Sequence, residues 1–214
     1  MIFFIKNKAD AQDIHYSQFY NSPININPAL TGIFNGDARI TGSLRNQWNT
    51  QSPYTTFSTS YDTRLLPKSS DKFFYGIGGL LNYDQAGDGN LNVTGLHAAG
   101  SLTYKINKNN LLTGGLLLGI ATEGFNPNQL TWSTQWTGEI FDPSLGSQEG
   151  FGNTERVTYL ETGFGANYRY QVDSSRTNLN LGVGLFHLTQ PNNGYIDLGN
   201  PRLPLRTSIN AVAN

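Results

Sequence analysis

The chain has 214 residues, a formal net charge of -1 and only 14% charged side chains, enough for one core or one barrel and without the basic footprint of a nucleic-acid binder. It contains no cysteine, which excludes disulfides, thiolate metal sites and a cysteine nucleophile. No apolar run of about 18 residues occurs, so a spanning helix is excluded, but a spanning barrel, whose strands are apolar only at alternate positions, is not.

Composition points to strands and turns: 24 Gly, 11 Tyr, 12 Phe and 3 Trp stand beside abundant Asn, Ser and Thr at a mean hydropathy of -0.38. Residues 1–11, MIFFIKNKADA, set a short apolar stretch before the small-x-small triplet Ala9, Asp10, Ala11. They read as the remnant of a poor signal peptide, with a frayed terminal arm as the alternative. Residues 12–36 carry Pro23, Pro28 and clustered Asn, follow neither a helix nor a strand period, and form an irregular segment.

Alternation begins at Asp37. In ARITGSLRNQW, Ala38, Ile40, Gly42 and Leu44 alternate with Arg39, Thr41, Ser43, Arg45 and Gln47. TTFSTSYD continues more weakly, and KFFYGIGGLLNYD sets Phe73, Tyr75, Ile77 and Leu81 against Gly76, Gly78 and Asn82. Residues 91–105 alternate again, whereas LLTGGLLLGIA (111–121) is apolar on both faces and punctuated by Gly, as suits a strand packed on something. VTYLETGFGANYRYQV (157–172) is the longest alternator, NLNLGVGLFH (178–187) is a seventh strand, and RTSINAVAN starts an eighth that is cut off at Asn214.

Seven or eight strands with no helix between them predict an antiparallel meander. Connections 64–71, 107–110 and 173–177 would return to one side and are short. Connections 49–53, 84–90, 122–155 and 189–205 would lie opposite, and two are long, the short-turn and long-loop rims of an outer-membrane barrel. The expected fold class is therefore all-β: an antiparallel meander over 37–214 forming an outer-membrane β-barrel, with seven or eight strands present and the C-terminal end truncated. Trp48, Tyr61, Phe73, Tyr83, Tyr104, Tyr159 and Tyr170 are candidate girdle aromatics, or simply good strand formers.

An Arg on the lipid face near the midplane costs about 2–4 kcal/mol, so Arg39, Arg45, Glu161 and Arg169 are expected to be lumen charges. They either meet a plug or partner segment or fill the barrel with ion pairs. The long connection after the fifth strand holds Trp132, Trp136, Phe141 and Phe151 among polar residues, a candidate partner contact. DQAGDGN fails as a calcium loop because Ala86 and Gly95 stand where oxygen ligands are required. His15, His97 and His187 share no metal-ligand spacing, and the Gly-rich stretches lack the strand-to-helix context of a phosphate loop. Glu155 and Glu161 lie more than roughly 15 Å apart on one strand, and no nucleophile, base and orienter stand together. No catalytic, metal or cofactor site is expected, and the function is read as binding.

QDIHYSQFYNSPININPALTGIFNGDARITGSLRNQW, followed by FSTSYD, GIGGLLNYDQAG and FHLTQPN, resembles the PorP/SprF family of type IX secretion system membrane proteins of Bacteroidota. The match rests on Gln18, Phe19, Tyr20, Pro23, Asn27, Pro28, Ala29, Gly32, Arg39, Arg45, Gln47 and Trp48, with His187, Leu188 and Pro191 later. The resemblance implies a protein of the bacterial outer membrane that holds or attaches secreted cargo, through its sorting domains, or gliding adhesins at the surface. It also implies a periplasmic peptidoglycan-binding lipoprotein as partner, outer-membrane lipid as surroundings and no nucleic acid. On this reading residues 12–36 are a periplasmic lead-in, and Tyr20, Pro23, Asn27, Pro28, Trp132 and Trp136 are candidate partner contacts. A passive porin-like barrel and a soluble secreted β-sandwich that binds carbohydrate are the alternatives.

Overall fold

Eight strands form, and each pairs antiparallel with its sequence neighbours: β1 (Ala38–Gln47), β2 (Tyr54–Leu65), β3 (Phe73–Ala86), β4 (Leu91–Lys105), β5 (Asn110–Phe125), β6 (Glu155–Gln171), β7 (Asn178–Phe186) and β8 (Arg206–Ala213). The computed structural model describes residues 19–48, 53–66, 72–87, 89–146, 155–171, 177–195 and 201–213. Among these residues no ladder joins β1 to β8, so the single sheet is a curled half-barrel with two edges. The meander expected from the alternation is present. β5 runs beyond the expected 111–121 because residues 122–125 pair with residues 155–158 across the long connection, a non-local register that local periodicity does not display. The leader 1–11 and Phe151 lie outside the described residues.

The two faces of the sheet have opposite chemistry. The convex face exposes Ile40, Leu44, Ile77, Leu96, Leu116, Leu118, Ile120, Leu160, Phe164 and Ile209. On the concave face β2 alone buries Thr56, Ser58, Ser60 and Asp62. A soluble sandwich would bury the apolar face, whereas lipid takes it as an outer surface, so this polarity is that of a membrane barrel wall. Strands β2 to β6 have 12 to 17 residues, more than the nine to eleven that a tilted spanning strand requires. At the rim that carries the 106–109 turn, Phe73, Tyr75, Tyr104 and Tyr170 are exposed, and the Phe73 and Tyr104 rings stand 5.0 Å apart. Tyr159 departs from the expected girdle: its position on β6 turns it inward, and it lines a cavity of the lumen.

Because apolar side chains go outward, little is left for an interior. Among the described residues the core is one small cluster, Ile24, Leu80, Ala99, Leu117 and Phe186, and Ile24, 0% exposed, comes from the irregular N-terminal segment and not from a strand. Exposure of Leu116 on the convex face (60%) generates a direct test: Leu116→Arg should lose about 2–4 kcal/mol of folding free energy in lipid or detergent if this face meets hydrocarbon. Heat-modifiable gel mobility and denaturant titration in micelles would read the loss, and a change within about 0.5 kcal/mol would contradict a lipid-facing position.

Candidate functional site: a plugged lumen

The irregular segment enters the curl of the sheet and lies across its concave face. It has a one-turn helix α1 (Pro23–Ile26), started by Pro23, then a 3-10 turn at Pro28–Leu30 capped by Asn27, whose side chain accepts from the Ala29 amide at 2.9 Å. Each of these short turns leaves most backbone groups without local partners, so the sheet must supply them.

What lets the segment in is one register row. Gly76, Ser101, Gly115, Gly165 and Gly184 are direct cross-strand partners in succession from β3 to β7. A Cβ added at Gly76 would stand 2.3 Å from the Thr31 carbonyl oxygen, at Gly115 2.4 Å from the Ala29 nitrogen, at Gly165 2.0 Å from Asn27 Oδ1, and at Gly184 2.6 Å from the Ile26 carbonyl oxygen. The row is a trench the width of a backbone, and residues 26–31 run along it. Ser101, the one residue of the five with a side chain, donates its hydroxyl to the Thr31 carbonyl at 2.6 Å.

Polar pins fix the segment at both ends of the trench. Asn27, 0% exposed, donates to the Ala166 carbonyl (3.0 Å) and to Asn210 Oδ1 of β8 (3.1 Å). Asn25 and Asn82 exchange amide hydrogen bonds of 3.2 and 2.9 Å, and Arg206 donates to the Asn25 carbonyl while its guanidinium stacks 4.0 Å from the Phe186 ring. Where the segment leaves, Asp62 is 0% exposed and accepts from Arg39 Nε (2.9 Å), Arg39 Nη2 (2.7 Å) and the Gly32 amide (2.7 Å). Gly32 has φ 72°, a conformation that favours glycine, and a Cβ there would meet Gly76 Cα at 2.8 Å. Arg39 also donates to the Leu30 carbonyl, and Arg64 to the carbonyls of Gly32 and Phe34.

Toward the long-loop rim lies a cavity of about 410 Å³ that contains Asp84, Glu123, Glu161, His97 and His187. His97, Gly119 and Glu161 are register partners on β4, β5 and β6, and the glycine between them lets His97 Nε2 reach Glu161 Oε2 at 2.5 Å. His187 closes β7 at φ 56° and turns Nδ1 to 3.4 Å from Glu161 Oε1. Asp84 accepts from Thr56 and Tyr54, and burial with the adjacent Glu123 carboxylate pushes the Tyr195 hydroxyl above its ordinary value.

The described part of the long connection is ordered. Asn126 donates its amide to the Gly89 carbonyl, and Leu130 packs on Gly89. Trp132 donates Nε1–H to the Pro127 carbonyl at 3.1 Å, and buried Gln135 donates to the Leu145 carbonyl. Hydrogen bonds from Ser144 hold the Asp142 carboxyl below the usual range. This frame projects Trp136 (57% exposed), Ile140 and Phe141.

The expected lumen charges Arg39, Arg45, Glu161 and Arg169 all stand on inward positions, but in separate surroundings. Arg39 pins the plug, Arg45 donates to Gln47 and stacks on Tyr54, Glu161 meets two histidines, and Arg169 sits at the opposite rim. Of the candidate contacts in the N-terminal segment, Pro23, Asn27 and Pro28 are buried within the chain and only Tyr20 is well exposed. All three lie inside the curl, against the concave face of the sheet. Trp132 is half-buried as part of the loop's own frame. Asp62, His97 and His187 are site residues that alternation alone does not single out. Asp62 sits on the inward phase of β2 and was legible as a buried acid, but the two histidines reach Glu161 only through the sheet register.

A family model described as Type IX secretion system membrane protein PorP/SprF matches residues 8–214. No curated protein and no solved structure matches the chain.

Two predictions follow from the plug geometry. In the cysteine-free chain, Ser22→Cys places a single thiol on the plug at a buried position, slow to react with a water-soluble maleimide. Adding Gly165→Val should raise its labelling rate at least about tenfold, because the trench closes by more than a side chain can yield; an unchanged rate would contradict the trench. Asp62→Ala leaves Arg39 and the Gly32 amide without their acceptor and should destabilise by about 3–5 kcal/mol in denaturant titration.

Proposed function

The chain belongs to the PorP/SprF family of type IX secretion system membrane proteins, and on that premise we propose that it works as a non-enzymatic barrel component in the outer membrane. In this reading it retains exported cargo or adhesins at the surface by their sorting domains, serves gliding where the cell glides, and meets a periplasmic lipoprotein from its other rim. The observation that carries the reading is the plug. A lumen filled by the chain's own residues 20–34 offers surfaces for binding and disfavours a passive pore. Its burial of Asn27, Pro28 and Ala29 is stabilised by apolar contact at roughly 25 cal/mol per Å² and by the hydrogen bonds of Asn27, Thr31 and Gly32 to the sheet, so it is a fixed part of the interior.

Cargo contact is assigned to the long-loop rim. Aromatic side chains that a folded loop holds in water are typical anchors for a protein partner, and Trp136, Ile140 and Phe141 form such a tip. The acids and histidines of the neighbouring cavity hydrogen-bond among themselves and with strand hydroxyls, as a structural polar network does. Trp136→Ala combined with Phe141→Ala should reduce retention of cargo at the surface by at least about tenfold while barrel insertion, read by heat-modifiable mobility, stays unchanged. Full retention with a folded barrel would remove the tip from the account, whereas Trp132→Ala is expected to act through the loop's own folding.

A further inference from the structure

At the short-turn rim, below the plug, a second cavity of about 410 Å³ is lined by Arg64 of β2, Phe74 of β3, Lys105 at the end of β4, Asn107 and Lys108 in the turn after it, and Arg169 of β6. Among the described residues no Asp or Glu lines it. Arg64 is engaged with plug carbonyls, and the Asp62 carboxylate is taken by Arg39. Arg169 makes no ion pair or hydrogen bond with another described residue and lines the same cavity as Arg64, so two like charges face one space. Four cations held around one partly enclosed space raise the local concentration of anions, and a bound anion relieves their mutual repulsion.

The spacing of the cations selects the kind of anion. Lys105, Leu111 and Arg169 are register partners on β4, β5 and β6, so the Lys105 and Arg169 positions are separated by two strand spacings, roughly 10 Å. A single phosphate is held by donors that converge on one point, whereas cations dispersed over alternate strands match acidic side chains carried along an extended peptide. We propose that this rim cavity is a docking site for an acidic, extended peptide segment of a periplasmic partner protein. The inference rests on the reading that the short-turn rim faces the periplasm, and it is independent of how the long-loop rim treats cargo.

The test uses the full chain in detergent micelles and a fluorescein-labelled peptide of about ten residues with alternating Glu and Ala, followed by fluorescence anisotropy. Binding should be present at low salt and fall by at least tenfold at about 0.5 M salt. The triple variant Lys105→Gln, Lys108→Gln, Arg169→Gln should weaken binding by about tenfold or more, whereas Arg202→Gln, an exposed residue of the 187–205 connection on the other rim, should leave it unchanged. Each lysine is exposed and Arg169 bonds no plug residue, so the variant keeps the frame, and heat-modifiable mobility checks it. Equal binding by the triple variant, no binding by the parent, or displacement of the peptide by millimolar inorganic phosphate at constant ionic strength would each overturn the proposal. Cargo retention measured on the same triple variant separates the two readings: lost peptide binding with normal retention places the defect at this rim alone.

Discussion

A backbone can lie against a sheet only where the sheet has no side chains, and one register row of this half-barrel meets that condition. Gly76, Ser101, Gly115, Gly165 and Gly184 belong to five different strands, yet the ladders bring them into line, and residues 26–31 occupy the line they make. The rest of the interior depends on this contact. Ile24 is fully buried in the described core cluster because the trench holds the chain that follows it. Asp62 is worth burying because Arg39 and the Gly32 amide arrive together at the trench's exit.

The plug also divides the lumen. Carboxylates and histidines gather on the long-loop side, with Asp84, Glu123, Glu161, His97 and His187 around one cavity. Cations gather on the short-turn side, with Arg64, Lys105, Lys108 and Arg169 around another. A chain with a net charge of -1 therefore holds its acidic and its basic lumen residues mostly in two separate cavities. The field of each cavity attracts groups of opposite charge and repels groups of the same charge.

Much of this architecture was legible before any coordinates. Period-2 alternation separates the two faces of β1 and β3, and the charged positions Arg39, Arg45, Glu161 and Arg169 mark the inward faces of β1 and β6, because a strand's side-chain period leaves no other choice once one face is apolar. The short and long connections fell on opposite rims for the same topological reason. Gly-rich LLTGGLLLGIA was readable as a strand packed on something, but its partner was not. Which glycines align across five strands is a property of register, and register is set by pairings between residues far apart in the chain. The same limit hid the meeting of His97 and His187 at Glu161, which lie on different elements and share no spacing. The irregular segment was identifiable through its Pro and Asn, yet nothing local distinguishes a loop outside a rim from a plug inside it, since both lack a period.

Hydrogen–deuterium exchange of the segment covering residues 22–33, measured by mass spectrometry on the folded chain in micelles, tests the plug most directly. Its amides, with Ala29 donating to Asn27, Gly32 to Asp62 and Thr31 to Pro28, should exchange as slowly as those of β4 and β5. Exchange at the rate of an unstructured peptide, while the strands stay protected, would show that the trench is empty and would contradict the account.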